Sequence, residues 1–354
     1  MDPAHWRDRD VLVTGHTGFK GAWLSRLLHR LGARVHGYAL ATPEHFLHTR
    51  ARCAEDLASE HVGDIRDTAA LTAALEASGA GTVLHLAAQS VVRESYRDPR
   101  ETFSSNVEGT LSVLEAVLAV PRVRSCVVVT TDKVYRNNEW HWGYREVEPL
   151  GGDDPYSASK ACAELLTHSM VASFPRDGLG VATARAGNVV GGGDATPDAL
   201  VPELVARFAA GEPARLRRPD AVRPWQHVLE PLSGYLTVAE HLPGRAHDRG
   251  WNFGPSSADT LSVADVADLM ARQWGGGASW SSTGDPGPHE AGLLALDSTL
   301  ARTELGWRPV LRAQEAVALT VDWEQSVARG EAPREALDRQ VECYLERHAE
   351  TQRR

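Results

Sequence analysis

Two short segments of the sequence carry side chains that could exchange protons with a substrate. In the run Y-S-A-S-K, Tyr156 and Lys160 stand four residues apart, a spacing that puts both side chains on one face of a helix. A nearby ammonium group lowers the pKa of a phenol, which predicts that Tyr156 acts as a base near neutral pH. In the run T-T-D-K-V-Y, Asp132 and Lys133 are adjacent and form a candidate pair of proton donor and proton acceptor.

The rarity of lysine singles out the same segments. Only three of the 37 basic residues are lysines, namely Lys20, Lys133 and Lys160, and each of them falls within a motif. Alanine and arginine richness suggests a compositional bias, so a surviving lysine marks a position where a guanidinium cannot substitute. A role that needs a neutral amine is such a case, because arginine is effectively never deprotonated. We therefore expect the three lysines to mark the reaction centre.

A glycine-rich turn precedes the first of these lysines. The run G-H-T-G-F-K-G, residues 15–21, lies between a predicted strand and a predicted helix, where a dinucleotide fold receives a pyrophosphate. No acid that could bind the adenosine ribose follows the second strand until Glu44. No Arg or Lys lies between Val35 and Thr49 to bind the 2′-phosphate of NADP. NAD is therefore favoured over NADP. After the third strand, Asp64 is expected to contact the adenine edge, with a purely structural aspartate as the alternative.

These motifs need a parallel sheet to bring them together. The first 190 residues alternate apolar strands with helical patterns, which predicts an α/β fold: a Rossmann-like doubly wound parallel sheet with a smaller C-terminal substrate-binding lobe. We expect a dinucleotide-binding domain over residues 1–188, with part of 228–255 returning to it, then a substrate lobe over 189–330. A charged tail helix over 331–354 is expected to be solvated and partly frayed. Strands are predicted at 10–14, 34–40, 60–63, 82–87, 125–131 and 181–186, and helices at 21–31, 100–118, 156–174, 200–210 and 263–274.

Composition removes several other classes of protein. The formal net charge of −10 argues against a general nucleic-acid binder, and no apolar run approaches the length that spans a bilayer. The N-terminal residues lack the pattern of a signal peptide, and the four scattered cysteines are typical of reduced thiols. A cytoplasmic protein with no membrane partner is therefore expected. The fifteen histidines form no ligand motif, so no metal site is predicted.

Taken together, these motifs resemble the extended short-chain dehydrogenase/reductase superfamily and, within it, the CDP-glucose 4,6-dehydratases. The adjacent Asp132 and Lys133 are the most discriminating match, because the related dTDP-glucose dehydratases carry D-E at that position. The stretch after G-G-G-D departs from the family, since it lacks the expected tryptophan. The matching stretches are T-G-H-T-G-F-K-G-A-W, T-D-K-V-Y, W-H-W-G-Y-R-E-V-E-P-L-G-G-D-D-P-Y-S-A-S-K, R-A-G-N-V-V-G-G-G-D, R-P-W-Q-H-V-L-E-P-L-S-G-Y and P-H-E-A.

The resemblance implies an NAD-dependent hydro-lyase of deoxysugar biosynthesis that converts CDP-glucose or a related nucleotide sugar to its 4-keto-6-deoxy product. Tyr156, assisted by Lys160 and Thr131, would take the 4-hydroxyl proton while hydride passes to NAD. Lys133 would take the proton from carbon 5 and Asp132 would protonate the departing 6-hydroxyl, after which hydride returns to carbon 6. A neutral Lys133 is required, so its pKa is expected to be lowered.

The same resemblance assigns binding residues and leaves alternatives open. A homodimer is expected by analogy, through the helices at 100–118 and 156–174. A 4-epimerase or a dehydratase for another nucleotide sugar remains possible on this fold, as do an ordinary NAD-dependent alcohol dehydrogenase and, remotely, a non-catalytic NAD-binding protein. For the substrate the resemblance implies Gln89, Asn188, Arg223, His227 and Glu290. For NAD it implies Gly15, His16, Thr17, Gly18, Phe19, Lys20, Gly21, Asp64, Ile65, Leu86, Ala87, Ala88, Gln89, Asn106, Thr130, Tyr156 and Lys160.

Overall fold

A computed structural model describes residues 1–244, 249–256, 259–284 and 292–352 of the chain. Seven parallel strands form its central sheet in the order β11-β6-β5-β4-β1-β2-β3, which is the predicted Rossmann-like arrangement. The strands are β1 (Asp10–Thr14), β2 (Arg34–Ala39), β3 (Leu57–Val62), β4 (Thr82–His85), β5 (Ser125–Val129), β6 (Gly180–Ala186), β7 (Val189–Val190), β8 (Ala214–Leu216), β9 (Val222–Arg223), β10 (Gln226–His227), β11 (Gly250–Phe253), β12 (Leu261–Ser262) and β13 (Trp280–Ser282).

Helices cover both faces of this sheet, as the βαβ pattern predicts. A search of the described residues finds no helix long and apolar enough to cross a membrane. The α-helices are α1 (Pro3–Trp6), α2 (Phe19–Arg30), α3 (Leu47–Arg50), α4 (Thr68–Ser78), α5 (Val92–Arg97), α6 (Pro99–Phe103), α7 (Gly109–Ala119), α8 (Pro155–Ser173), α9 (Leu200–Ala209), α10 (Leu229–His241), α11 (Val263–Trp274), α12 (Thr299–Glu304), α13 (Ala313–Ala328) and α14 (Pro333–Gln352).

The apolar side chains form a core on each side of the sheet and a third one beyond it. The strands β1, β5 and β6 are buried on both faces, as a sheet with helices on both sides requires. The third core packs α9, α11 and α13 around Leu204, Phe208, Trp225 and Met270. The strand pairs β8–β13 and β9–β12 lie in this same C-terminal part of the chain, and β11 returns to the main sheet beside β6.

Two predicted elements differ from the structure in an informative way. The segment predicted as one helix over 100–118 is helical, but a π-helical turn at Ser104–Glu108 separates α6 from α7 within it. The tail expected to be solvated is instead α14, which packs on the domain through fully buried Leu337 and Val341. Its Asp338 also accepts a hydrogen bond from Arg26 of α2 at 2.6 Å. The apolar residues of this segment are widely spaced among charged residues. Its composition therefore did not indicate that one face of the helix is buried.

Candidate active site

A cavity of about 660 Å³ opens at the carboxyl ends of the central strands, where open α/β sheets bind their ligands. All three lysines of the chain line it, as the composition predicted. The loop from Ala39 to Pro43 also lines it, and so do Asp194 and Thr196, which belong to the G-G-G-D stretch and the segment after it but were not predicted as site residues. The predicted residues on its wall are Gly15, Thr17, Gly18, Phe19, Lys20, Gly21, Asp64, Ile65, Leu86, Ala87, Ala88, Gln89, Thr130, Thr131, Asp132, Lys133, Tyr156, Lys160 and Asn188.

The glycine loop leaves its backbone open for a diphosphate. Gly15 has φ +73°, and a side chain there would approach the backbone nitrogen of Ala87 to 2.6 Å. A side chain on Gly21 would collide with the carbonyl oxygen of Gly15, so the loop can close tightly only with glycine. Helix α2 begins directly after Gly18, and its free backbone N–H groups favour an anion. These residues fit the pyrophosphate of a dinucleotide.

The loop after β2 lines the cavity with no acidic residue that could hold a ribose, and Asp64 is the acid found after β3. The carboxylate of Asp64 is bound by Arg66, which donates from its backbone nitrogen at 2.9 Å and from its guanidinium. These hydrogen bonds lower the pKa of Asp64. Asp64 and Ile65 still line the cavity, so the predicted adenine contact is sterically available. The hydrogen bonds from Arg66 also give Asp64 a structural role, which was the alternative to an adenine contact.

Tyr156 and Lys160 lie on the first turns of α8, and both are buried. Lys160 donates through Nζ to the carbonyl oxygen of Val129 at 3.1 Å, and burial lowers its pKa to about 8. The expectation for Tyr156 was a lowered pKa. Burial instead raises the pKa of its phenol, although a hydrogen bond with Thr131 opposes that rise. Loss of water around the phenol therefore outweighs the stabilising contacts within the protein.

Asp132 and Lys133 follow β5 in a single 3₁₀ turn that the Thr131 side chain caps. Burial raises the pKa of Asp132, and the positive charge of Lys133 opposes the rise. One carboxylate oxygen accepts a hydrogen bond from the Thr131 hydroxyl at 3.0 Å. The other is buried and has no partner among the residues that the structure describes. The raised pKa favours the protonated form of this carboxyl, which is the form that could donate a proton into the cavity.

Lys20 occupies the floor of the cavity rather than its rim. Its Nζ atom lies 3.4 Å from the hydroxyl of Tyr235 on α10, and burial lowers its pKa to about 8. Asp132 opposes that shift through its charge, and Lys20 in turn helps to lower the pKa of Lys160. The three groups thus act on one another electrostatically. Tyr235 was missed from the sequence, because its segment has the pattern of an ordinary buried helix.

A buried ion pair between Glu164 and Arg185 stabilises the segment around the end of β5. Glu164 of α8 accepts two hydrogen bonds from Arg185 of β6, at 2.9 and 2.7 Å, and further ones from the hydroxyls of Thr130 and Thr183. Arg185 also donates to the Tyr135 hydroxyl at 2.7 Å. The pair therefore fixes α8 against the ends of β5 and β6. Its desolvation is offset by bidentate geometry and full hydrogen bonding.

Four of the predicted binding residues in the described part of the chain do not line this cavity, namely His16, Asn106, His227 and Arg223, the last of which lines a neighbouring cavity. The ring of His16 turns away from it toward Glu60, at 2.8 Å. Asn106, in the π-helical turn, is buried and holds Gln89 and Ser159 through three hydrogen bonds of 2.8–2.9 Å. His227 is fully buried with its ring edge-on to Trp23, in keeping with a core histidine. Glu290 and the P-H-E-A stretch lie outside the described residues.

A second cavity of about 290 Å³ adjoins the first and shares Lys133 and Asn188 with it. Arg223 lines it and is buried, with its guanidinium donating to the carbonyl oxygen of Val222 at 2.9 Å. Arg215, Arg217 and Arg218 lie on the same wall. Guanidinium groups suit the diphosphate of a nucleotide, because they form paired hydrogen bonds with phosphate oxygens.

Comparisons with known proteins agree with this geometry. The sequence profile of the GDP-mannose 4,6 dehydratase family matches residues 12–320. A CDP-glucose 4,6-dehydratase from Salmonella typhimurium is 43% identical over 353 residues, which is 98% of each chain. A dTDP-glucose 4,6-dehydratase from Xanthomonas campestris pv. campestris is 31% identical over 330 residues, covering 88% of this chain and 92% of that one.

A solved structure extends the likeness to a bound complex. The dTDP-glucose 4,6-dehydratase from Streptomyces venezuelae, determined with NAD and TYD bound, has a TM-score of 0.77 and 26% identity. The match covers 89% of this chain and 97% of that one. A UDP-glucose 4-epimerase from Stenotrophomonas maltophila, with a TM-score of 0.79 and 24% identity, shares the fold.

Proposed function

The chain belongs to the GDP-mannose 4,6-dehydratase family within the extended short-chain dehydrogenase/reductase superfamily, and we propose that it is an NAD-dependent 4,6-dehydratase of CDP-glucose. The product is the 4-keto-6-deoxy sugar nucleotide. The observation that carries the proposal is the placement of buried Asp132 beside half-buried Lys133 on the wall of the cavity that the glycine loop also lines. The 43% identical relative named CDP-glucose 4,6-dehydratase supports the choice of substrate.

Bound NAD would supply reversible hydride transfer, which links the oxidation of carbon 4 of the sugar to the reduction of carbon 6. The residues that would hold it are those of the glycine loop, with Lys160 and Tyr156 at the other end of the cavity. The narrow approach at Gly15 and Gly21 is consistent with a diphosphate seated directly on the backbone. No arginine or lysine lies at the end of β2 to bind the 2′-phosphate of NADP, so NAD fits the cavity better than NADP.

Each proton has a side chain to receive or supply it. Tyr156 takes the proton of the 4-hydroxyl, and Thr131 holds its phenol by a hydrogen bond. The ammonium of Lys160, one helical turn away, favours the phenolate form of Tyr156, which is the form that can accept this proton. Lys133 takes the proton from carbon 5, which the adjacent ketone has made acidic. Asp132, whose pKa is raised by burial, gives its proton to the departing 6-hydroxyl.

Epimerisation at carbon 4 is the second candidate, because a solved 4-epimerase shares this fold. That reaction needs Tyr156 and Lys160 but neither an acid nor a base at carbons 5 and 6. A buried carboxyl with an unpartnered oxygen costs stability, which is hard to account for unless it serves a chemical step. Asp132 therefore favours dehydration over epimerisation.

The substrate is tested by incubating the protein and NAD with CDP-, dTDP-, UDP- and GDP-glucose and analysing the products by mass spectrometry. We expect loss of one water from CDP-glucose, with kcat/KM at least ten-fold above that for the other donors. Faster dehydration of another donor would contradict the assignment of CDP-glucose and leave the dehydratase assignment intact. A product with the mass of its substrate would favour epimerisation.

The assembly and the compartment are proposed on separate grounds. We propose a homodimer that pairs α6 and α8 with the same helices of a second copy, because Phe103 and Leu165 are exposed there at 36% and 58%. The four cysteines form no disulfide, which supports a reducing, cytoplasmic compartment.

A further inference from the structure

Outside the active-site cavity, three metal-ligating side chains converge on one point. His16 follows the first glycine of the loop, His48 lies in α3 and Glu60 lies in β3. One nitrogen of each imidazole and one oxygen of the carboxylate all lie within 4.8 Å of one another. From this juxtaposition we infer that His16, His48 and Glu60 bind a divalent transition-metal ion such as zinc.

The distances fit coordination to a single ion. Both Nε2 atoms point at the same oxygen of Glu60, His16 at 2.8 Å and His48 at 3.0 Å. Ligand atoms about 2.0–2.1 Å from a zinc ion lie roughly 2.9 Å apart when they meet at right angles and about 3.4 Å apart in a tetrahedron. The two nitrogen–oxygen distances are thus close to these values, and the two nitrogens lie within 4.8 Å of each other.

The surroundings hold the two imidazoles in this orientation. A side chain on Gly37 would come within 2.7 Å of the His16 ring, so the ring packs directly on the backbone of β2. The His48 ring meets it edge-on, with the centroids 5.1 Å apart. Both rings are at most 4% exposed, whereas Glu60 is 33% exposed, which leaves an entry from solvent. Two neutral nitrogens and a carboxylate are a ligand set that zinc commonly uses.

An ion there would join three segments at the back of the glycine loop. His16 is part of that loop, and its backbone contacts Gly21 so closely that a side chain on Gly21 would lie 2.7 Å from its Cα atom. The ion would therefore hold the loop to α3 and β3 from the side facing away from the cavity. No metal site was predicted from the sequence, because these three residues are widely spaced along the chain and form no ligand motif.

The test uses the full-length protein after removal of metals with a chelator and dialysis. We expect one equivalent of Zn²⁺ per chain by elemental analysis, a Co²⁺ complex with visible d–d absorption, and a higher melting temperature with either ion. His48→Gln and Glu60→Gln should each weaken binding at least ten-fold. His45→Ala, which removes an exposed histidine three residues from His48, should leave it unchanged.

Two results would overturn the inference. One is the absence of stoichiometric binding to the wild-type protein. The other is binding of equal strength to the wild type and to both Gln variants, which would indicate adventitious binding by surface histidines. Circular dichroism of the two Gln variants, which change shape little, separates loss of the site from loss of the fold.

Discussion

At the scale of single residues, the adjacent Asp132 and Lys133 distinguish this site from one that only oxidises and reduces carbon 4. The surroundings of each side chain suit its proposed role, which is proton donor for Asp132 and base for Lys133. Asp132 is 2% exposed, and burial raises its pKa, which favours the protonated form that a proton donor needs. Lys133 reaches the two neighbouring cavities, where it can meet a substrate that spans both.

Replacement of Lys133 by arginine tests its role as the base. Arginine keeps the charge but cannot give up a proton near neutral pH, so we expect kcat for dehydration to fall by about 10²–10⁴-fold. The variant should also lose the incorporation of solvent deuterium at carbon 5, measured by mass spectrometry in D₂O. Arg136→Lys, a change at an exposed cation three residues away, is the matched control. Full activity of Lys133→Arg would remove Lys133 from the mechanism.

Tyr156 shows where residue patterns stop predicting chemistry. The spacing to Lys160 correctly indicated that both lie on one helix, and the motif correctly placed both at the cavity. The motif could not show that burial raises the pKa of the Tyr156 phenol. Burial depends on residues that are distant in sequence, such as Tyr235. The direction of a pKa shift is a property of the packed site.

At the scale of elements, a buried carboxyl holds the C-terminal part of the chain to α10. Glu230 is fully buried and accepts hydrogen bonds from the backbone nitrogens of Val310 and Leu311 at 2.9 and 2.6 Å. The Tyr344 hydroxyl of α14 donates to its other oxygen at 3.1 Å. Burial raises the pKa of Glu230 to about 8.

This pKa makes stability depend on pH in a defined direction. Between about pH 4.5 and 8 the native state keeps a proton on Glu230 that the unfolded chain releases, so the free energy of unfolding falls as pH rises. The slope from one such group is at most about 1.4 kcal/mol per pH unit. In urea titrations over this range, Glu230→Gln should remove that slope. Glu304→Gln, at an exposed ion pair, should keep it. A slope that survives in Glu230→Gln would contradict the assignment.

The helices were easier to predict than their ends and partners. Strong apolar periodicity located α11 at its observed bounds and α2 to within two residues. The π-helical turn at Asn106 was not foreseen, because its cause is the side-chain contacts of Asn106 with Gln89 and Ser159, which lie on other segments. The docking of α14 was missed for the same reason, since its partners on α2 are about 300 residues away in sequence.

At the scale of the whole molecule, the proposed homodimer makes a simple prediction. Light scattering should give twice the chain mass of 38.4 kDa at micromolar concentration. A charge in the proposed interface leaves a buried, unpaired carboxylate, so Leu165→Glu should give a folded monomer. Val62→Glu, at an exposed position on the opposite edge of the sheet, should remain dimeric. A monomeric wild-type protein would contradict the proposal.

The central claim is that carbon 4 and carbon 6 react in one cycle with loss of water between them. It is tested most directly with CDP-glucose that carries deuterium at carbon 4, with mass spectrometry and NMR of the product. We predict a product lighter by one water, with deuterium on carbon 6 and no net reduction of NAD. A product that keeps its water and carries the deuterium on carbon 4 would contradict the account and show that Asp132 and Lys133 do not perform an elimination.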